Sequence, residues 1–353
     1  PGANLSLAAL YGNTALLPDI PLSVPDKAIG TNTVSCMQSG CILVLDVRTA
    51  ALRACVSVPG FDPADPAASL EAPDSPFLNR ALQAYAVGSV FKPVLAAAAL
   101  EAGLAPEYDC NGAVVVDGQI FRCAGGVPHG EVDLSAALAK SCNGYFIRLG
   151  QQLGAQALLQ QAQALGFGRS IGLAEGLTAQ SGVLPGAEEL AQSGQLANFS
   201  FGQGSLLATP LQVAAMMNTI ANGGVYRAPC LLDCALDETS GEELSAFARP
   251  QAERVLTEQA AAVLRTMLEQ TVAEGTAQDA SGLPGGAAGK TGTAQTGQFT
   301  AEGKERMNLW FAGFYPAEDP QYTIVVLQDG QTQAAVSSAA VFAQLCTALH
   351  WLG

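Results

Sequence analysis

Lysine is scarce in this sequence: among 353 residues it occurs only at Lys27, Lys92, Lys140, Lys290 and Lys304. Lysine and arginine together number 16 against 31 aspartates and glutamates, a formal net charge of −15. No basic stripe stands against that balance, which excludes nucleic acid as a partner. No stretch approaches the ~18 uncharged apolar residues of a membrane helix, and no signal peptide is visible. Charged residues make up only 13% and apolar ones 49%, the composition of an ordinary globular core under a sparse polar surface. The length suffices for one large domain or two small ones.

Nothing positions His129 beside a serine, and it reads as a loop histidine. The nine cysteines are an odd number, which in an exported protein leaves at least one thiol free. Cys110 and Cys123 flank two short strands, 114–116 and 119–121, around an Asp117-Gly118 turn. A disulfide between them fits that geometry, and so do two free thiols. Cys230 and Cys234 have no partners at zinc-ligand spacing and read as small buried side chains.

The chain begins at Pro1 without methionine and reads as a piece of a longer protein. Residues 1–34, rich in Pro, Gly and Asn, are expected to be a linker to an absent N-terminal non-catalytic module, with 35–353 as the catalytic domain. Residues 41–47 and 52–58 read as a hairpin, and 59–76 as a loop. The middle is helical, at 133–140, 144–166, 209–221 and 257–274. The first has an acidic cap at Asp133, Thr209-Pro210 is a strong start and Gly223-Gly224 a stop. Strands return at 287–295, 308–314 and 322–327, before an amphipathic helix over 336–351. The pattern predicts an α+β fold: one antiparallel sheet completed by both termini and flanked by helices, with a large helical insertion.

Two of the five lysines fall in short motifs. Ser89 and Lys92 sit at i and i+3 at a helix start after Gly88, so hydroxyl and amine share one helix face. A helix N-terminus adds unpaired N–H groups and partial positive charge. Serine, base and electrophilic N–H are the minimal kit for acyl transfer. A plain helix start with a solvated lysine gives the same letters, and the scarcity of lysine favours the chemical reading. Ser141-Cys142-Asn143, at a helix end, offers a hydroxyl and an amide two positions apart, with Cys142 expected to point inward. Lys290-Thr291-Gly292-Thr293 reads as a strand on which Lys290 and Gly292 face one side and the threonines the other. Gly292 leaves room for a substrate backbone.

Taken in order, S-x-x-K, S-x-N and K-T-G resemble the set shared by penicillin-binding proteins and serine β-lactamases. Further stretches resemble class B penicillin-binding proteins, the monofunctional peptidoglycan D,D-transpeptidases. They are His129-Gly130-Glu131-Val132-Asp133-Leu134, Phe201-Gly202-Gln203-Gly204, Thr209-Pro210-Leu211-Gln212 and Trp310-Phe311-Ala312-Gly313-Phe314-Tyr315-Pro316. The likeness runs from about residue 36 to the C-terminus. Val87 and Val90 stand where the family usually has proline and threonine, a change in packing around the serine.

The resemblance implies the penicillin-binding protein transpeptidase fold and a serine acyl-enzyme mechanism without metal or organic cofactor. Ser89 is then the nucleophile and Lys92 its base, its pKa lowered by burial and by the nearby charge of Lys290. Ser141 relays the proton and Asn143 orients the substrate amide. The backbone N–H groups of Ser89 and Thr293 form the oxyanion hole, and Thr291, Gly292 and Thr293 bind the substrate or β-lactam carboxylate. The implied partners are peptidoglycan stem peptides, β-lactams and other cell-wall synthesis proteins. The implied place is the extracytoplasmic face of the bacterial plasma membrane, reached through an anchor in the missing N-terminal segment. A D,D-carboxypeptidase, a serine β-lactamase or a non-catalytic penicillin sensor shares these motifs. No acidic residue stands out as a deacylation base, and the likeness at Gly202-Gln203-Gly204 and Trp310 to Pro316 favours the transpeptidase.

Overall fold

The computed structural model describes residues 37, 39–72, 75–174, 176–231, 234–236, 243–246 and 250–352. The expected linker over 1–34 lies outside them. A five-stranded antiparallel sheet is assembled from the two ends of the described chain: β1 (Gly40–Asp46), β2 (Leu52–Val58), β3 (Ala288–Phe299), β4 (Glu305–Tyr315) and β5 (Tyr322–Gln331). Their order across the sheet is β3-β4-β5-β1-β2, so β3 is an edge. β1 and β5 pair in full register from Gly40 opposite Gln328 to Asp46 opposite Tyr322, closing the sheet as expected.

Alternation along β1 explains the layers. Cys41, Leu43 and Leu45 point into the larger core and Ile42 and Val44 into the smaller. Both faces are therefore covered. The smaller core is closed by α6 (Ser338–Leu352), whose Phe342 stacks 4.5 Å from Phe311 of β4. The larger receives α1 (Lys92–Glu101), α2 (Leu134–Ala139), α3 (Asn143–Ala164), α4 (Pro210–Ala221) and α5 (Glu258–Ala273).

Every residue of α4 is buried, the polar Gln212, Asn218 and Thr219 included. Its start is a reciprocal cap: the Gln212 N–H donates to Thr209 Oγ1 (3.2 Å) and the Thr209 N–H to Gln212 Oε1 (2.8 Å). The Gln212 amide also donates to the carbonyls of Arg169 and Ser181 at 2.9 and 2.8 Å. The Thr-Pro-Leu-Gln stretch thus ties loops to the central helix. The expected helix over 144–166 is interrupted at Gly154, whose φ of +78° is left-handed. The expected hairpin around Asp117-Gly118 forms, Ala113–Val116 against Gln119–Arg122.

Candidate active site

The serine turn is a short 3-10 helix, Gly88–Phe91, that runs directly into α1. Its conformation is imposed by close neighbours. Gly88 has φ +60°, and a Cβ there would lie 2.5 Å from the Thr293 carbonyl oxygen. The Gly88 N–H donates to the Gly202 carbonyl at 2.8 Å. A Cβ on Gly202 would sit 2.0 Å from the Gly88 oxygen, so the Phe201-to-Gly204 stretch is a seat for this turn. From the other side, Trp310 Nε1 and Asn308 Nδ2 donate to the Ala86 carbonyl at 3.0 and 3.4 Å. Strand β4 thereby fixes the approach to Ser89, which is half-buried.

Lys92 is fully buried. Its Nζ donates to the Ser141 carbonyl (2.7 Å), Ser141 Oγ (3.0 Å) and Asn143 Oδ1 (2.7 Å). The Phe146 ring lies 5.5 Å from the same nitrogen. Three acceptors satisfy the three ammonium donors, and burial still pulls the pKa down to about 7. Burial alone carries this shift. The expected help from Lys290 is felt instead at Lys290, which burial and then the Lys92 charge push well below the ordinary lysine value.

Ser141 and Asn143 converge because the chain between α2 and α3 bends sharply. Ser141 has φ +55°, a left-handed conformation that costs a non-glycine residue ~1–2 kcal/mol. This bend turns the Ser141 carbonyl and hydroxyl onto Lys92. Cys142 points inward, wholly buried, and its sulfur caps α3 by accepting from the Tyr145 N–H at 3.5 Å. The Asn143 amide donates to the Arg122 carbonyl at 2.9 Å, which orients its oxygen towards Lys92.

On the sheet side, β3 shows the expected alternation: Lys290 and Gly292 are buried, Thr291 half-buried and Thr293 exposed. A Cβ on Gly292 would stand 2.8 Å from Val90 Cγ1 and 2.9 Å from the Val87 oxygen. Gly292 therefore lets the edge strand lie against the serine turn itself, where the sequence reading had assigned the space to substrate. Lys290 Nζ donates to Thr276 Oγ1 (3.5 Å) and to the Thr291 carbonyl (3.2 Å). The hydroxyls of Thr276 and Thr291 are 2.7 Å apart. Thr276 was not anticipated; the only signal was a Gly-Thr pair directly after the long helix α5. Gly275 is pressed against Ala139, where a Cβ would come within 2.4 Å of the carbonyl oxygen. That contact carries Thr276 to the rim of the cleft.

Lys92, Ser141 and Asn143 are thus in direct contact, Gly292 and Thr293 of β3 lie against the turn that carries Ser89, and the Lys92 charge reaches Lys290. His129 stands apart, behind the bend. Cys110 and Cys123 are both free thiols, their sulfurs 3.6 Å apart, so the disulfide alternative is not realised. Cys110 pairs with Gly130 rather than with the hairpin.

A family model described as "Penicillin binding protein transpeptidase domain" matches residues 40–347, and the chain belongs to that family. A type III pantothenate kinase model matches residues 1–49. Of these, 37 and 39–49 are described, and β1 among them is a member of the five-stranded sheet. The peptidoglycan D,D-transpeptidase PbpA of Mycolicibacterium smegmatis is 32% identical over 88% of this chain and 67% of its own length. Stage V sporulation protein D of Bacillus subtilis is 32% identical over 77% of this chain, which spans 42% of that protein.

Among solved structures, the D,D-transpeptidase domain of a peptidoglycan glycosyltransferase from Eggerthella lenta superposes with a TM-score of 0.78. It shows 29% identity, over 90% of this chain and 79% of that one. The ceftriaxone acyl-enzyme of penicillin-binding protein A from Mycobacterium tuberculosis gives 0.79 at 27% identity, over 91% and 76%. Family and fold are those expected from the three motifs.

Proposed function

We propose that this chain is the catalytic unit, over residues 35–353, of a peptidoglycan D,D-transpeptidase that β-lactams acylate at Ser89. The observation that carries this reading is the buried Lys92 amine, one helical turn from Ser89 and bound by Ser141 and Asn143. Its pKa of about 7 leaves it close to half neutral at physiological pH, the condition for a base that accepts a proton and returns it.

Ser89 Oγ attacks the carbonyl carbon between the two terminal D-alanines of a stem peptide, and its proton passes to Lys92 Nζ. The N–H groups of Ser89 and Thr293 hold the oxyanion, a role that the close approach of Gly88 to Thr293 supports; one such donor contributes ~3 kcal/mol. The C–N bond then breaks, and the departing D-alanine amine takes a proton from Lys92 through the Ser141 hydroxyl. An amine of a neighbouring stem attacks the ester carbonyl and gives up a proton to Lys92; the ester C–O bond breaks, Ser89 Oγ takes that proton back, and the cross-link is formed. Lys290 with Thr291 and Thr293 holds the substrate carboxylate, and Asn143 orients the substrate amide.

Hydrolysis of the acyl-enzyme is expected to be slow. Among the described residues, none of the hydrogen bonds of Lys92, Ser141, Asn143 and Lys290 goes to a carboxylate. The same reading puts the domain at the outer face of the bacterial plasma membrane, tethered by a segment outside this chain and working beside other cell-wall synthesis proteins.

The test is labelling with a fluorescent penicillin and mass-spectrometric location of the adduct. The expected result is one adduct on Ser89, none in Ser89→Ala, and a label that persists for hours. An adduct elsewhere overturns the site, and release within minutes converts the reading to a β-lactamase. A Ser89 label without turnover of a D-Ala-D-Ala peptide or thioester converts it to a penicillin sensor.

A further inference from the structure

Behind the 141–143 bend four side chains meet that the acyl-transfer chemistry does not use. The sulfurs of Cys110, Cys123 and Cys142 and a ring nitrogen of His129 all lie within 4.8 Å of one another. The three cysteines are buried and His129 is half-buried. Cys110 Sγ is 3.6 Å from Cys123 Sγ and 3.5 Å from His129 Nδ1, and Cys123 Sγ is 3.9 Å from Cys142 Sγ. A disulfide needs about 2.05 Å, so these sulfurs are not bonded. Around a tetrahedral zinc, with Zn–S near 2.3 Å and Zn–N near 2.0–2.1 Å, ligand atoms stand roughly 3.5–3.8 Å apart. These three separations lie in or beside that range, and all six stay within 4.8 Å.

The backbone around the four groups is held as a ligand cradle. The His129 N–H donates to the Cys110 carbonyl at 3.0 Å and the Cys123 N–H to the Gly112 carbonyl at 2.9 Å. Gly112 has φ +84°, and a Cβ there would be 2.3 Å from the Gly126 oxygen. Two sulfurs already accept backbone N–H groups, Cys110 from Gly112 and Cys142 from Tyr145, each at 3.5 Å. Such outer contacts favour thiolate ligands.

We propose that Cys110, Cys123, His129 and Cys142 form a structural zinc site that pins the 141–143 bend of the catalytic cleft to the segment 108–132. Three sulfurs and one imidazole nitrogen are a donor set that selects zinc. Four protein ligands close the coordination sphere, which makes the role structural. Binding displaces the thiol protons that remain and makes metal affinity part of folding stability. Because Cys142 is the middle residue of the bend, the metal holds the flanking Ser141 and Asn143 against Lys92. Metal binding itself does not rest on the transpeptidase reading; its effect on acylation does.

The test uses the whole chain, reduced and reconstituted with zinc. Elemental analysis is expected to find one zinc per chain. Cobalt substitution should produce sulfur-to-cobalt charge-transfer bands and tetrahedral ligand-field bands. Cys123→Ser and His129→Ala should each weaken zinc at least ~100-fold, since even outer-shell losses cost 10–100-fold. Cys346→Ser, at a buried thiol on α6, should keep one equivalent. Chelation should lower the thermal midpoint and slow penicillin acylation, and zinc should restore both.

Should Cys123→Ser fail to fold, His129→Ala decides, because that side chain is half-exposed, and His129→Cys should restore the metal. The proposal is overturned by less than a tenth of an equivalent of zinc after reconstitution, by cobalt spectra without sulfur bands, or by unchanged affinity in His129→Ala. A Cys110–Cys123 disulfide in the native protein, found by mass spectrometry, overturns it too. Full zinc loading with no adduct on Ser89 overturns the transpeptidase reading and leaves the metal site standing.

Discussion

The cleft has a helix side and a sheet side, each centred on a wholly buried lysine. Lys92 on α1 is locked by three oxygens at 2.7–3.0 Å. Lys290 on β3 has looser partners, a hydroxyl at 3.5 Å and its neighbour's carbonyl at 3.2 Å. Burial depresses both amines, but only one is immobilised. A fully bonded amine of lowered pKa is suited to move a proton between fixed atoms. An amine with long contacts beside two threonine hydroxyls can turn to meet an incoming carboxylate. The difference matches the proposed division between proton transfer and substrate holding, although the residue type is the same.

The largest break in this comparison is expected from Lys92→Met. Loss of a positioned base lowers rates by 10²–10⁴-fold, and penicillin acylation should fall by about 10³-fold. The thermal midpoint should move little, because the change also removes the burial cost of an amine. An equal fall from Lys290→Met would erase the proposed division of roles. Next comes the joint between the two sides. Gly292→Ala must displace β3 from the Val87 and Val90 contacts, and since a 1 Å misplacement can cost ~10²-fold, acylation should slow by about that factor. A wild-type rate would show that the close packing is irrelevant to the chemistry.

The pH profile sharpens the comparison further. Acylation should drop tenfold per pH unit below about 7, where Lys92 becomes protonated, and level off above. Stability should follow the same group. Between the folded pKa near 7 and the unfolded value near 10.5, the unfolded chain binds a proton that the folded chain does not. Stability therefore rises with pH from about 7. Near pH 9 the raised thiols Cys41 and Cys55 oppose it, since there the folded chain keeps protons that the unfolded chain loses. Urea titrations at pH 6, 7 and 8 would check the sign. The smallest effect is expected from Thr276→Val, which removes one hydroxyl from Lys290 and Thr291. Acylation efficiency should fall about fivefold, through weaker binding rather than a slower acylation step, in line with ~1 kcal/mol for one hydrogen bond. Thr276→Ser should restore it.

Much of this was legible beforehand because it is local. The Ser89/Lys92 spacing, the Thr209-Pro210 cap and the alternation of β3 each depend on a few neighbouring residues. The sheet closed by both termini followed from where the apolar strands lie. Thr276 was not legible, since a Gly-Thr pair after a helix carries no chemistry until Gly275 packs on Ala139. The packing role of Gly292 was not legible for a similar reason, because the atoms that need its missing side chain belong to Val87 and Val90. The cysteines misled in another way. Cys110, Cys123, His129 and Cys142 are separated by 12, 5 and 12 residues, which matches no short zinc-ligand spacing.

By itself, then, the order of residues determined the fold class, the family and the principal motifs, because hydrophobic period and short-range spacing are written along the chain. Tertiary structure alone decided which amine is locked and which can turn, and that four scattered side chains meet behind the bend. Those properties depend on distances between segments far apart in sequence and on how much water is excluded around them, and neither quantity is local.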